Sequence, residues 1–199
     1  MTFHPFEVGV VRSDVRGGAP FPAQMMHQVH GNRIQWVDDY VPLEEADALM
    51  TDKPGVTLMV KSADCIPLVF ADESAGLVAA VHAGWRGLTA DIVPKTVKEM
   101  VGRGAKAERL KVLIGPSLGK ECSDFSDPFA EIPSQYHWAI EGNLVDLNGI
   151  CDRQLADAGV NPEHIHRMKI CTHCDPAWFS FRRNQGVERF GTWVKLSEA

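Results

Sequence analysis

The sequence predicts an α+β domain built on a mixed sheet, on three observations. Strand-like runs outnumber helical stretches, the two kinds do not strictly alternate, and the central runs are apolar throughout. Continuous apolar runs belong to sheets covered on both faces. With 199 residues the chain fits one domain, 1–199, large enough to bury a core without disulfide support.

Residues 16–22, RGGAPFP, read as a loop. VTLMV (56–60) is a strand run, interrupted by SADC (62–65) and resumed as IPLVF (66–70), which makes an apolar hairpin with polar residues at its middle. ADESAG (71–76) is a turn and LVAAVH (77–82) the third run. HAGWRG (82–87) is a glycine-bracketed loop before a helix at about 89–101, with Leu88, Ile92, Val93, Val97, Met100 and Val101 on one face. Pro94 belongs in its first turn or kinks it, and Gly102 and Gly104 stop it. LKVLIG (110–115) is a buried strand with GPSLG as its exit loop, and 120–142 are irregular. NLVDL (143–147) is a short strand, followed by a helix over 148–158 with Asn148 as N-cap and Gly159 as its stop. HIHRMKI (164–170), WFSF (178–181) and RFGTWVKL (189–196) complete the strands.

The net charge of −6 and the absence of a basic stripe beyond Arg182 and Arg183 argue against a nucleic-acid partner. Lys61 and Asp64 break the most apolar stretch, so no membrane span is expected, and the N-terminus lacks the pattern of a signal peptide. Five irregularly spaced cysteines suit a reducing cytoplasm better than a disulfide framework.

Chemistry concentrates in a few places. His82 closes an apolar run and opens HAGWRG, whose glycines allow close backbone approach. Arg86 and the start of the next helix favour an anion there. Cys65 sits beside Asp64 and Ser62, polar residues whose burial without partners would cost roughly 2–7 kcal/mol. His30 lies in QVHG. His and Cys ligands suit zinc, and three of them leave a fourth position open. Positions 30, 65 and 82 nevertheless follow no compact spacing rule, so spacing alone does not assemble them. CTHC (171–174) is a lone CxxC, and with no second pair it is either a redox pair or, the favoured reading, accidental neighbours. FSFRR (179–183) offers Ser180, Arg182 and Arg183, and arginine pairs suit phosphate.

Taken in order, QVHG, ADALMTDKPGVTLMVKSADCIPLVFAD, VAAVHAGWRG, IGPSLG, and CT followed by FSFRR resemble the multi-copper polyphenol oxidoreductase, or laccase-domain, family, from about residue 24 to the C-terminus. The resemblance implies a four-layer α/β/β/α sandwich and a zinc held by His30, Cys65 and His82. It implies phosphorolysis of adenosine, inosine and guanosine, with methylthioadenosine and adenosine deamination as further activities. Purine nucleoside and phosphate are then the partners, Arg86, Ser180, Arg182 and Arg183 the substrate contacts, and Asp64 a proton carrier or a loop-orienting carboxylate. The oligomeric state, monomer or homodimer, stays open. Departures lie in the outer motifs. The segment before QMMHQVHG, 1–23, is shorter than usual, Cys122-Ser123-Asp124-Phe125 stands for Cys-Tyr-Glu-Val, and Val187-Glu188-Arg189 for Thr-Gly-Arg. Three other readings compete: a copper-dependent polyphenol oxidase, since His₂Cys sets also bind copper; a hydrolase with Cys65 as nucleophile and His82 as base; and a non-enzymatic zinc-binding protein.

Overall fold

The structure, a computed structural model, describes residues 6–40, 42 and 44–198. Its strands are β1 (Phe6–Val11), β2 (Ile34–Trp36), β3 (Ala48–Thr51), β4 (Thr57–Ser62), β5 (Ile66–Asp72), β6 (Leu77–Ala83), β7 (Lys111–Ile114), β8 (Ile140–Glu141), β9 (Leu144–Val145), β10 (Ile165–Arg167) and β11 (Phe190–Leu196). The helices are α1 (Trp85–Thr89), α2 (Ile92–Gly102), α3 (Pro128–Glu131), α4 (Leu147–Asp157) and α5 (Phe181–Asn184). Six strands form a mixed sheet in the order β10-β7-β5-β6-β3-β2, with parallel pairs at both edges. Three more form an antiparallel sheet, β1-β11-β4. The fold class is thus the mixed α+β one expected.

The apolar runs are explained by the layers. On β5, Leu68 and Phe70 face α2 and α4, while Val69 and Ala71 face the smaller sheet. The inter-sheet core adds Leu58 and Val60 of β4 and Val194 and Leu196 of β11. Each such fully buried side chain contributes about 1.5–3 kcal/mol by leaving water. The outer face of the small sheet, Met59 and Trp193, is covered by Val15, Phe21, Ala23 and Met25. The glycine- and proline-rich loop therefore supplies an outer layer.

Several boundaries shift from expectation. SADC does not sit within a hairpin: β4 and β5 belong to different sheets, Ser62 ends β4, and residues 63–65 carry the chain from one sheet to the other. The helix expected at about 89–101 begins at Ile92, and the expected HAGWRG loop instead enters a short helix, α1, at Trp85; Asp91, at a left-handed φ of 62°, separates the two helices. Pro94 falls in the first turn of α2, where its missing N–H is not needed. Val101 turns outward and is exposed. α4 is capped by Asp146, whose carboxylate accepts from the Gly149 amide at 2.8 Å. Asn148 instead joins loops, donating to the Leu118 carbonyl and accepting from Ser117 and Arg167. WFSF is not a strand. Ser180 caps α5 and Phe181 begins it.

Candidate metal centre

Strand register gathers the chemistry at one end of the sandwich. Ile66 pairs with Ala83, Leu68 with Ile114, Ala48 with Val81, and Ile34 with Ala48. The starts of β2, β3 and β5 and the ends of β6 and β7 therefore share an edge. QVHG, Asp47, SADC, HAGWRG and GPSLG all lie there.

At that edge one ligand atom each from His30, Cys65 and His82 lies within 4.8 Å of the others. His82 is buried, Cys65 half-buried and His30 exposed. The two imidazoles meet edge to face, with centroids 4.9 Å apart. Two positions in the backbone are strained to achieve this: His30 at φ 60° and Asp64 at φ 88°. The glycines of HAGWRG are required by proximity. A Cβ on Gly84 would stand 2.7 Å from the His30 ring and 3.3 Å from the Cys65 sulfur, and one on Gly87 would strike the Gly31 carbonyl.

Asp47, which sequence reasoning missed, organises the centre. Its side chain is fully buried. One oxygen accepts from His82 Nδ1 at 2.8 Å and from the His30 amide at 3.0 Å, and the other accepts from the Gly31 amide at 2.6 Å. Its carbonyl accepts the His82 amide at 2.8 Å. The carboxylate thus fixes the tautomer that leaves His82 Nε2 free as a ligand, and carries the His30 loop with it. The only signal for it in the sequence was its place in ADALM, among residues otherwise apolar.

Burial opposes a charged Cys65, but the neighbouring His82 charge and hydrogen bonds from both imidazoles outweigh it, lowering the thiol to about 6. Burial likewise opposes a charged His82. The Cys65 thiolate and Asp47 overcome it and raise the imidazole to about 9. A cation-seeking pocket with one thiolate, two imidazoles and a carboxylate behind one of them matches the donor chemistry of a borderline-soft metal ion.

The other expected site residues are placed as follows. Asp64 accepts from the Thr172 hydroxyl at 2.7 Å and the Arg182 amide at 2.6 Å, and its carbonyl accepts from Leu118. Arg182 forks onto Asp124, 2.7 Å to the carboxylate and 2.9 Å to the carbonyl. Arg183 does not present its guanidinium to a ligand. It donates to the carbonyls of Thr172, His173, Asp175 and Trp178, bracing the CTHC loop. Ser180 is buried, and its hydroxyl accepts the Arg183 amide as a helix cap. Arg86 is exposed and stacks on Trp85, 4.2 Å from the ring centroid. The helix that follows HAGWRG, α1, has five residues, too short to draw an anion by its dipole. Two clefts of about 280 and 350 Å³ lie elsewhere, one beside Trp36 and Arg103, the other beside Val69 and His166. Cys122 joins the CTHC cysteines in a second cluster, with one sulfur of each within 4.8 Å of the others.

The chain is similar to known proteins along most of its length. The family described as multi-copper polyphenol oxidoreductase laccase matches residues 10–197. The adenosine deaminase RL5 of an unknown prokaryotic organism is 31% identical over 192 residues, covering 86% of this chain and 73% of its own. A purine nucleoside phosphorylase of Mycobacterium tuberculosis is 34% identical over 177 residues, covering 85% and 70%. The crystal structure of the Bacillus licheniformis hypothetical protein YfiH superposes with a TM-score of 0.79 at 27% identity, over 87% of this chain and 74% of that one. YlmD of Geobacillus stearothermophilus gives 0.77 at 31% identity, over 88% and 73%. By sequence across nearly its whole length and by fold, the chain belongs to the multi-copper polyphenol oxidoreductase laccase family.

Proposed function

We propose that this chain is a zinc-dependent purine nucleoside phosphorylase, acting on adenosine, inosine and guanosine. The observation that carries the reading is the His30–Cys65–His82 trio braced by the buried Asp47. It is supported by the phosphorylase names of several relatives. A zinc held there supplies Lewis acidity toward the departing purine. The remaining work falls to the chain. Phosphate displaces the base at C1′ of the ribose, so an anion must be held beside the sugar. Arg86 is suited to this, because its guanidinium meets only the Trp85 ring among the described residues and Trp85 restrains its direction. Asp64, Arg182 and Arg183 position the loops around it. Asp47 holds His82 in one tautomer.

Adenosine deamination is a second activity favoured by the name of one relative. Asp64 is the carboxylate nearest Cys65 in sequence, and each of its oxygens keeps a lone pair beyond the single donor it accepts. A copper-dependent phenol oxidase would need further imidazole ligands for additional coppers. Among the described residues the other ligating trio is made of cysteines. The free thiols suit a reducing compartment, and we place the enzyme in the cytoplasm.

The test combines metal analysis with release of hypoxanthine from inosine. Bound zinc with base release that requires phosphate is the expected result. His82→Ala should lose metal from this centre and lose turnover while keeping its far-UV spectrum. Full phosphorolysis by a His82→Ala protein free of metal at this centre would overturn the reading.

A further inference from the structure

The second cluster joins residues far apart in sequence. One sulfur each from Cys122, Cys171 and Cys174 lies within 4.8 Å of the others, and Cys122 and Cys174 are 3.4 Å apart. Those separations bracket the edge of a tetrahedron with Zn–S arms of about 2.3 Å, which is about 3.8 Å. We propose that these three cysteines form a second, independent zinc centre, with solvent at the fourth position. It is distinct from the His30–Cys65–His82 trio in every ligand.

The backbone is already shaped for it. Cys171 sits in a bridge with Ser117, whose carbonyl accepts the Thr172 amide at 3.0 Å. The Cys171 sulfur accepts the Gly119 amide at 3.2 Å. An amide donating to the sulfur favours a thiolate, the form that binds metal. A Cβ on Gly119 would stand 3.3 Å from that sulfur, so the loop approaches as closely as it can only because the residue is glycine. Cys122 is set by a one-turn 3-10 helix over Lys120–Cys122. Arg183 clamps the CTHC loop from the other side through the Thr172, His173 and Asp175 carbonyls. Cys174 is exposed, which gives a metal ion its path in and solvent its coordination position.

A zinc there ties the loop at 119–124 to the loop at 171–175. Those same loops contact the first centre: Leu118 and Thr172 donate to Asp64, and Asp124 holds Arg182. The second centre is a structural clip for the floor of the first.

Zinc is counted in protein purified anaerobically under reducing conditions, in the wild type and in His82→Ala, Cys174→Ser and Cys171→Ala proteins. The expected result is that His82→Ala retains one equivalent, and that adding Cys174→Ser or Cys171→Ala removes it. Cobalt(II) loaded into Cys65→Ser protein should give a sulfur-to-metal charge-transfer band that Cys174→Ser abolishes. Cys174 is exposed, so its loss leaves the fold testable if Cys171→Ala does not fold. A cobalt spectrum without thiolate bands in the Cys65→Ser protein would overturn the proposal. So would a Cys122–Cys174 disulfide, seen as a mass lower by two hydrogens. Because the counts use His82→Ala and Cys65→Ser backgrounds, they do not depend on whether the first centre is a phosphorylase.

Discussion

Asp47 shows how much one buried carboxylate can arrange. Its two oxygens accept from an imidazole and from backbone amides on either side of His30, all acceptor roles. Asp47→Asn keeps the shape and replaces one acceptor with an NH₂ donor, which must then face amides that also donate. Second-sphere partners of this kind change metal affinity by 10–100-fold. Asp47→Asn should therefore weaken zinc at the first centre by that factor, measured by competition with a chromophoric chelator. Unchanged affinity would mean that Asp47 merely fills space. The three candidate ligands were visible in the sequence as residues, and their grouping came from resemblance, because nothing local relates positions 30, 65 and 82. Asp47 escaped notice because an acid after alanine looks like any strand-entry residue until its pairing partner, the end of β6, is known. Arg183 and Ser180 carry structural roles that their sequence motif does not announce. Their chemistry fits phosphate, yet the fold uses them to satisfy carbonyls and cap α5.

At the scale of elements, long strands declared themselves and sheet membership did not. β5 and β6 are apolar on both faces because helices lie on one side and the small sheet on the other, so continuous runs marked them. β2 and β3 are three and four residues long and gave too little pattern to read. The Cys122 cluster was hidden because its halves meet through long-range contacts such as the Ser117–Cys171 bridge, which extends the β7–β10 pairing. The β5–β6 turn carries a testable device. Buried Asp72 accepts from the Ser74 and Ala75 amides at 3.0 Å, from the Lys106 amide at 2.9 Å, and from Arg109 at 3.0 Å. Burial alone would raise its carboxyl, but the Lys106 amide and Arg109 outweigh it and hold the group below its ordinary 3.8. A folded-state value below the unfolded one adds stability that is complete above about pH 4 and is lost as pH falls through the folded value. Asp72→Asn should lower stability by about 2 kcal/mol at pH 7. Its urea midpoint should converge on the wild-type value as the pH falls toward 2. A gap independent of pH would assign the loss to packing.

The whole molecule makes the first centre a junction. Its ligands and their supports leave the ends of strands from both sheets: SADC links β4 to β5, HAGWRG follows β6, and Asp47 precedes β3. β1 and β11, from opposite ends of the chain, close the small sheet behind them through the pair Phe6–Leu196. These connections are absent in the unfolded chain, so the zinc proposed for this site would bind the folded state almost exclusively. Free zinc at 1,000 times its dissociation constant then adds about 4.1 kcal/mol. For a chain of this size each kcal/mol moves the melting temperature by about 2–4 °C. Chelation should therefore lower the melting temperature by roughly 8–16 °C. The measurement belongs in Cys174→Ser protein, where the cysteine cluster is disabled and only the first centre responds. Adding His82→Ala should erase the zinc dependence altogether. If Cys174→Ser protein melts at the same temperature with and without zinc, the trio does not bind zinc in preference to the unfolded chain, and the proposed zinc centre fails.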